Sequence, residues 1–166
     1  MKQSATRSAE SSAVEVLDVG ERPLWFFELA PRTLRLQNAA LKSLDPVVNF
    51  RQFRILARIN DGYETLTQLS ARGTLSVSSL SMSIESLVEK GLIEKSRSRD
   101  DGRVTILSIA GAGRRLVAEG NALLLELANE VLQDVPPERE ADFKRDITAV
   151  GVRVAQALRS LQDSED

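Results

Sequence analysis

Neither cysteine nor histidine occurs anywhere in the 166 residues. The first absence excludes disulfides, thiolate metal sites and thiol-based redox sensing. The second removes the commonest metal ligand and the commonest general base. No loop carries the acidic spacing of an all-carboxylate metal site, and no nucleophile, phosphate-binding loop or carboxylate pair stands out. No cofactor, no metal and no catalytic residue is therefore expected, and the chain does not read as an enzyme. A bilayer-spanning apolar run is also lacking. The first residues, Met1 to Ala13, have no apolar stretch of the secretory kind, so a cytoplasmic location is expected. Cations are not in excess: the formal net charge is −2. Any contact with nucleic acid must come from a local concentration of Lys and Arg.

What is present suits a globular chain. Hydrophobic residues make up 42% and charged ones 28%, enough for a core inside a charged surface. The length fits one domain, or one domain with appended elements. Residues 1–22 are rich in Ser, Ala, Glu and Gln and read as a disordered tail. Leu24-Trp25-Phe26-Phe27 breaks that pattern with the sole Trp and two of the five Phe. Such a cluster belongs to a core or an interface, with a ligand pocket as the sharper alternative.

Pro31 is suited to start a helix, because its missing N–H is not needed in the first turn. Leu34, Leu36, Ala40, Leu41 and Leu44 then recur at helical spacing. Asp45-Pro46 reads as a restart, an N-cap carboxylate followed by proline at the first helical position. From there Val48, Phe53, Ile55, Leu56 and Ile59 make a helix apolar around much of its circumference, hence buried. Asp61-Gly62 ends it.

The stretch from Leu66 to Ile109 organises the rest. Thr65 and Gln68 have capping-box spacing, so a short helix starts near Leu66, and Gly73 closes it. Ser76 can cap the next helix, which runs to Lys90 with Leu80, Ile84, Leu87 and Val88 facing inward. Gly91 supplies the left-handed position after it. Ile93 to Lys95 and Val104 to Ile109 then read as two strands around a turn containing Asp-Gly. From Lys90 to Arg103, five cations (Lys90, Lys95, Arg97, Arg99, Arg103) stand against three acids (Glu94, Asp100, Asp101). Alone, such a run is a solvated hairpin. Directly after a helix-turn-helix it reads as a basic wing, an arrangement that holds DNA.

Gly111 and Gly113 open a long helix with an apolar stripe of Leu116, Gly120, Leu123, Leu127 and Val131. Pro136-Pro137 breaks it. A last helix carries Phe143, Ile147, Val150, Val154, Leu158 and Leu161 at spacings of three and four. Both faces are wide and far in sequence from the compact middle. Pairing with a second copy is expected, with Leu116, Leu123, Leu127, Val131, Ile147 and Val154 as dimerisation residues.

Three local patterns resemble the MarR family of bacterial transcription regulators. Leu69-Ser70-Ala71-Arg72 followed by Leu75-Ser76 resembles the family's helix, turn and helix start. Leu87 to Ile93 resembles its L-x-x-x-G-L-I exit from the recognition helix. Asp101-Gly102-Arg103, before Ile109 and Gly113, resembles its D-x-R wing signature. The resemblance runs from about Leu34 to Leu161.

That resemblance implies a mainly α fold with a small β wing (α+β), a winged helix-turn-helix joined to a terminal-helix dimerisation domain. Residues 46–110 would form the DNA-binding domain, and residues 23–45 and 111–162 the dimerisation region. It further implies a homodimer on a pseudo-palindromic operator in double-stranded DNA. Repression relieved by a small aromatic or anionic ligand is expected. Ser76, Ser78, Ser79, Ser81 and Met82 are the candidate groove contacts. The wing offers Arg97, Arg99 and Arg103, with Arg103 reaching the minor groove and Asp101 holding its side chain extended. The sequence departs from the family in having Val77, Ser78, Ser79, Ser81, Met82 and Ser83 where relatives commonly place Arg or Lys on the exposed face of the recognition helix; serine reads bases less sharply than arginine. Ala110 stands where a Thr usually caps the following helix. Two other readings compete: a winged helix that only docks proteins, and a small-molecule sensor with weak DNA contact.

Overall fold

A computed structural model describes residues 25–71, 77–98 and 101–162. The expected tail, the Gly73 closure, the Ser76 cap and Arg99 lie outside those residues. In order come α1 (Trp25–Ala40), a 3-10 turn (Leu41–Ser43), α2 (Phe50–Asn60), α3 (Leu66–Ala71), α4 (Val77–Glu89), β1 (Ile93–Arg97), β2 (Thr105–Ile109), α5 (Gly111–Val131), a second 3-10 turn (Pro137–Arg139) and α6 (Glu140–Gln162). The two strands are antiparallel, with Ile93 opposite Ile109 and Arg97 opposite Thr105. The fold is thus mostly helical with a two-stranded wing, as the sequence patterns imply.

Two helix starts differ from expectation. α1 begins at Trp25 and carries Pro31 in its interior. Proline there removes one bond to the carbonyl four residues back. That carbonyl belongs to Phe27, which is 68% exposed, so water can replace the missing N–H. The rings of Phe26 and Phe27 meet edge to face with centroids 5.5 Å apart. α2 begins at Phe50, not after Asp45-Pro46. Asn49 offers the better start, because it and Gln52 satisfy two helix-end donors at once. The Asn49 Oδ1 accepts from the Gln52 N–H at 2.9 Å, and the Gln52 Oε1 accepts from the Asn49 N–H at 3.2 Å.

The other boundaries follow their local chemistry. The Thr65–Gln68 capping box forms: the Thr65 Oγ1 accepts from the Gln68 N–H at 3.2 Å, and the Gln68 Oε1 from the Thr65 N–H at 3.0 Å. α4 ends in a left-handed Gly91, φ 66°. The Leu92 N–H then bonds the Leu87 carbonyl at 3.0 Å, and the Gly91 N–H the Val88 carbonyl at 2.8 Å. This is the Schellman pattern, and the apolar pair that accompanies it is Leu87 with Leu92, both fully buried.

The core is aliphatic apart from the ring of Phe53. Leu56 of α2, Leu69 of α3, Leu80, Ile84 and Leu87 of α4, and Ile93 and Leu107 of the wing are buried together. Each such side chain contributes roughly 1.5–3 kcal/mol by leaving water. Leu41, Leu44, Leu116 and Val117 join the same cluster from outside 46–110. Leu116 is therefore a correction: at 2% exposure it fills the core of its own chain and cannot meet a second copy. It lies in the first two turns of α5, which cross α2 closely. A Cβ on Gly120 would stand 2.3 Å from a ring carbon of Phe53. Further along, Val131 is exposed, and every residue of α6 from 140 to 161 is exposed.

Gly113 marks the tightest approach. A Cβ there would stand 2.2 Å from the Leu92 carbonyl oxygen and 2.9 Å from a side-chain carbon of Ile109. Alanine favours a helix over glycine by roughly 1 kcal/mol, but overpacking against fixed backbone costs about 1–3 kcal/mol. Gly113→Ala should therefore lower the melting temperature. Thermal unfolding followed by circular dichroism at fixed protein concentration tests this; an unchanged or higher midpoint would show that the approach is loose.

Candidate nucleic-acid interface

α4 presents four exposed residues beyond Val77: Ser78, Met82, Glu85 and Glu89, spaced four, three and four apart on one face. Ser78 is exposed, and Met82 is 69% exposed. Ser79 and Ser81 are half-buried at the flanks of that row. Ser81 borders a small cleft of about 190 Å³ between α3, α4 and the wing, with Leu66, Ile84, Thr105 and Leu107. The Ser83 hydroxyl donates to the Ser79 carbonyl at 3.0 Å, one turn back. Sequence spacing did not single out Glu85 and Glu89, which put negative charge on the outer half of the same face. Glu85 is paired with Lys95 of β1, so its charge is offset and the wing is tied to α4. A surface pair of this kind contributes at most about 1 kcal/mol.

The wing tip is held by short-range bonds. The Ser98 N–H donates to the Val104 carbonyl at 2.9 Å, and the Val104 N–H to the Asp101 carbonyl at 2.9 Å. The Asp101 N–H donates to the Ser98 hydroxyl at 3.3 Å. Asp101 does hold Arg103, but not as expected: its Oδ1 accepts the Arg103 backbone N–H at 2.9 Å. An aspartate two residues ahead of an amide closes such a turn readily. The Arg103 side chain is exposed and enters no ion pair among the described residues. Arg97 is exposed but folds back, its guanidinium donating to the Gly102 carbonyl at 3.3 Å. The structure thus brings Arg97, Asp101 and Arg103 together at the wing tip.

A second surface lies between α1 and the start of α2. Phe26, Leu29, Leu34 and Phe50, with Thr33 and Gln37, border an open apolar cleft of about 350 Å³. The Arg54 guanidinium sits 5.9 Å over the Phe50 ring, a cation at the edge of an apolar space. The aromatic cluster seen in the sequence supplies part of this wall. Phe50 and Arg54 carry no sequence signal for this surface, because it forms only where α1 lies beside the start of α2.

Residues 48–104, from the approach to α2 through the wing tip, match the sequence profile of the MarR family. Over those residues the chain is similar to the MarR family. Known structures share the fold well beyond the matched stretch. The transcriptional regulator BldR from Sulfolobus solfataricus superposes with a TM-score of 0.66 at 20% identity, over 92% of this chain and 99% of that one. A serine-for-cysteine mutant of MarR from E. coli, solved with operator DNA, gives 0.68 at 21% identity, over 77% and 93%. FabT from Streptococcus pneumoniae, solved with DNA, gives 0.70 at 17% identity, over 80% and 94%. No curated protein sequence matches the chain. Among the described residues no helix is long and apolar enough to cross a membrane.

The bond geometry at the tip generates a test that needs no DNA. Asp101→Ala should speed hydrogen exchange at the Arg103 amide, and Asp101→Asn, which keeps the acceptor oxygen, should restore protection. Amide exchange by NMR reads this directly; equal rates in all three proteins would mean that the carboxylate does not close the turn.

Proposed function

We propose that this chain is a dimeric, DNA-binding transcriptional repressor of the cytoplasm, released from a pseudo-palindromic operator by a small aromatic or anionic ligand. The observation that carries the DNA reading is the extent of the family match: it covers α2, both helices of the helix-turn-helix and the wing to its tip. Ser76, Ser78, Ser79, Ser81 and Met82 are assigned to the major groove and Arg97, Arg99 and Arg103 to the backbone and minor groove. Asp101 acts by shaping the turn from which Arg103 projects.

Dimerisation is supported by the apolar rows left uncovered on α5 and α6. Val131, Phe143, Ile147, Val150 and Val154 are exposed in the single chain. An apolar stripe that long normally packs on something, and a second copy offers the same stripe. Leu123 and Leu127 are half-buried at the edge of this surface, Leu123 partly against its own core. Residues 23–45 and 111–162 are thus assigned mainly to association and 46–110 mainly to DNA. The cleft beside Phe50, within the size range of ligand pockets, is assigned to the ligand, with Arg54 favouring an anion. A protein-docking role is the second reading, favoured by Glu85 and Glu89 on the outer face of α4.

Two experiments test the proposal. Ile147→Asp with Val154→Asp replaces exposed side chains, so each chain should still fold, yet sedimentation should shift from dimer to monomer and operator affinity should fall. A wild-type protein that sediments as a monomer would refute the dimer. On the duplex that the protein retains from fragmented genomic DNA, log affinity against log salt should fall by about 0.9 per phosphate contacted. Arg103→Ala should weaken binding by about 1–3 kcal/mol and flatten that slope by about one unit per wing engaged. Anisotropy titrations that show no retained DNA, or affinity indifferent to salt, would favour the docking reading.

A further inference from the structure

One polar side chain is buried among the described residues, and it is Gln52, 9% exposed in the first turn of α2. Burying an amide is unfavourable unless its hydrogen bonds are made. Gln52 makes them to two elements. Its Oε1 accepts from the Asn49 N–H at 3.2 Å and from the Lys90 ammonium at 3.4 Å. Its Nε2 donates to the Ser86 hydroxyl of α4 at 3.0 Å. Lys90 also donates to the Val47 carbonyl at 2.6 Å, just before α2. The last turn of α4 and the residue after it are therefore bonded to the first turn of α2 and the segment just before it.

That same start is bonded to α1. The Asn38 Oδ1 accepts the Phe50 N–H at 2.8 Å, and the Asn38 Nδ2 donates to the Leu34 carbonyl at 2.8 Å. Phe50 is the first residue of α2 and borders the apolar cleft. A continuous polar path thus runs from α1 through Asn38, the capped turn and Gln52 to Ser86 and Lys90. Apolar burial of Leu80, Ile84 and Leu87 holds α4 down, but such contacts are not directional. The hydrogen bonds define how far α4 is slid and rotated along that apolar surface.

We infer that Gln52 is a positioning residue: it sets the placement of α4 through Ser86 and Lys90, and Asn38 makes that placement answer to α1. The inference rests on α4 being the DNA-reading helix of the proposed function, so its test has one arm with DNA and one without. Coupling through such a chain requires demonstrated energetic linkage, not proximity alone.

In the first arm, affinity is measured by anisotropy on the retained genomic duplex and on a scrambled duplex of equal length, at one salt concentration. Ser86→Ala should reduce the ratio of the two affinities about 3- to 10-fold, the range of one lost hydrogen bond, with binding to the scrambled duplex unchanged. Alanine is the better helix former, so loss of helix stability would not explain that result. Ser86→Thr and Gln52→Glu keep an oxygen partner and should restore the ratio. Gln52→Leu with Ser86→Ala should be no worse than Gln52→Leu alone, since the two act through one bond. In the second arm, without DNA, Asn38→Leu should speed amide exchange across residues 80–90 and leave the wing amides of Ile93 and Leu107 unchanged, while Asn38→Asp keeps wild-type rates. An unchanged affinity ratio in Ser86→Ala overturns the positioning role. Unchanged exchange in Asn38→Leu overturns the link to α1. If the wild type retains no DNA, the regulator reading fails, and the exchange arm alone decides whether α1 and α4 are coupled.

Discussion

The carbonyl of Leu92 is the point on which the arrangement of the winged helix depends. Leu92 follows the left-handed Gly91, and its own N–H closes the end of α4 on Leu87. Its side chain is fully buried beside that helix. Its carbonyl accepts the Ala110 N–H at 3.0 Å, immediately before α5. It also stands where a side chain on Gly113 would be. One residue therefore ends α4, leads into β1 and fixes the start of α5. Ala110 has no side-chain cap bond, so the weaker N-cap expected from its sequence is real. The close backbone approach at Leu92 supplies the fixation that a capping hydroxyl would otherwise give.

From that anchor the energies divide by kind. Aliphatic burial supplies most of the stability: each fully buried Leu or Ile contributes roughly 1.5–3 kcal/mol, against roughly 0.5–1.5 kcal/mol for a typical net hydrogen bond. The hydrogen bonds are directional where burial is not. At the wing tip Asp101 shapes a turn whose arginine points outward, and at the foot of α4 Gln52 meets two neighbours. Charge is placed sparingly on the α4 face, where Glu85 is answered by Lys95. The serine face supplies hydrogen-bonding groups with no fixed charge.

Much of this was legible in the sequence because the signals were local. The Thr65–Gln68 box, Gly91 with Leu92-Ile93, the wing turn and the glycine-led start of α5 each involve residues a few positions apart. Their geometry follows from backbone chemistry alone. The misses came from tertiary context. Asp45-Pro46 is a good helix start in isolation, but Asn49-x-x-Gln52 wins because Gln52 also finds Ser86, 34 positions away. Leu116 has the same spacing as Leu123, yet the crossing of α5 over α2 puts the first in the core and leaves the second at its edge. Asp101 was expected to hold the Arg103 side chain, but it bonds the Arg103 backbone N–H instead, because a two-residue separation suits a turn better than a side-chain ion pair. Ser79 and Ser81 look like Ser78 in the sequence; only the helix's rotation about its axis separates them.

α6 shapes how the stability of this protein is to be measured. It spans 23 residues, and through residue 161 every one is exposed. Propensity alone holds a helix only marginally in water; most helices gain their stability by packing an apolar face. A helix with that face uncovered within its own chain owes its order to whatever covers it. Where the cover is a second identical chain, mass action enters: dilution withdraws the partner, and the unfolding midpoint falls with protein concentration. A single melting temperature is then no property of the polypeptide but one point on a curve against concentration, and variants are comparable only along that curve.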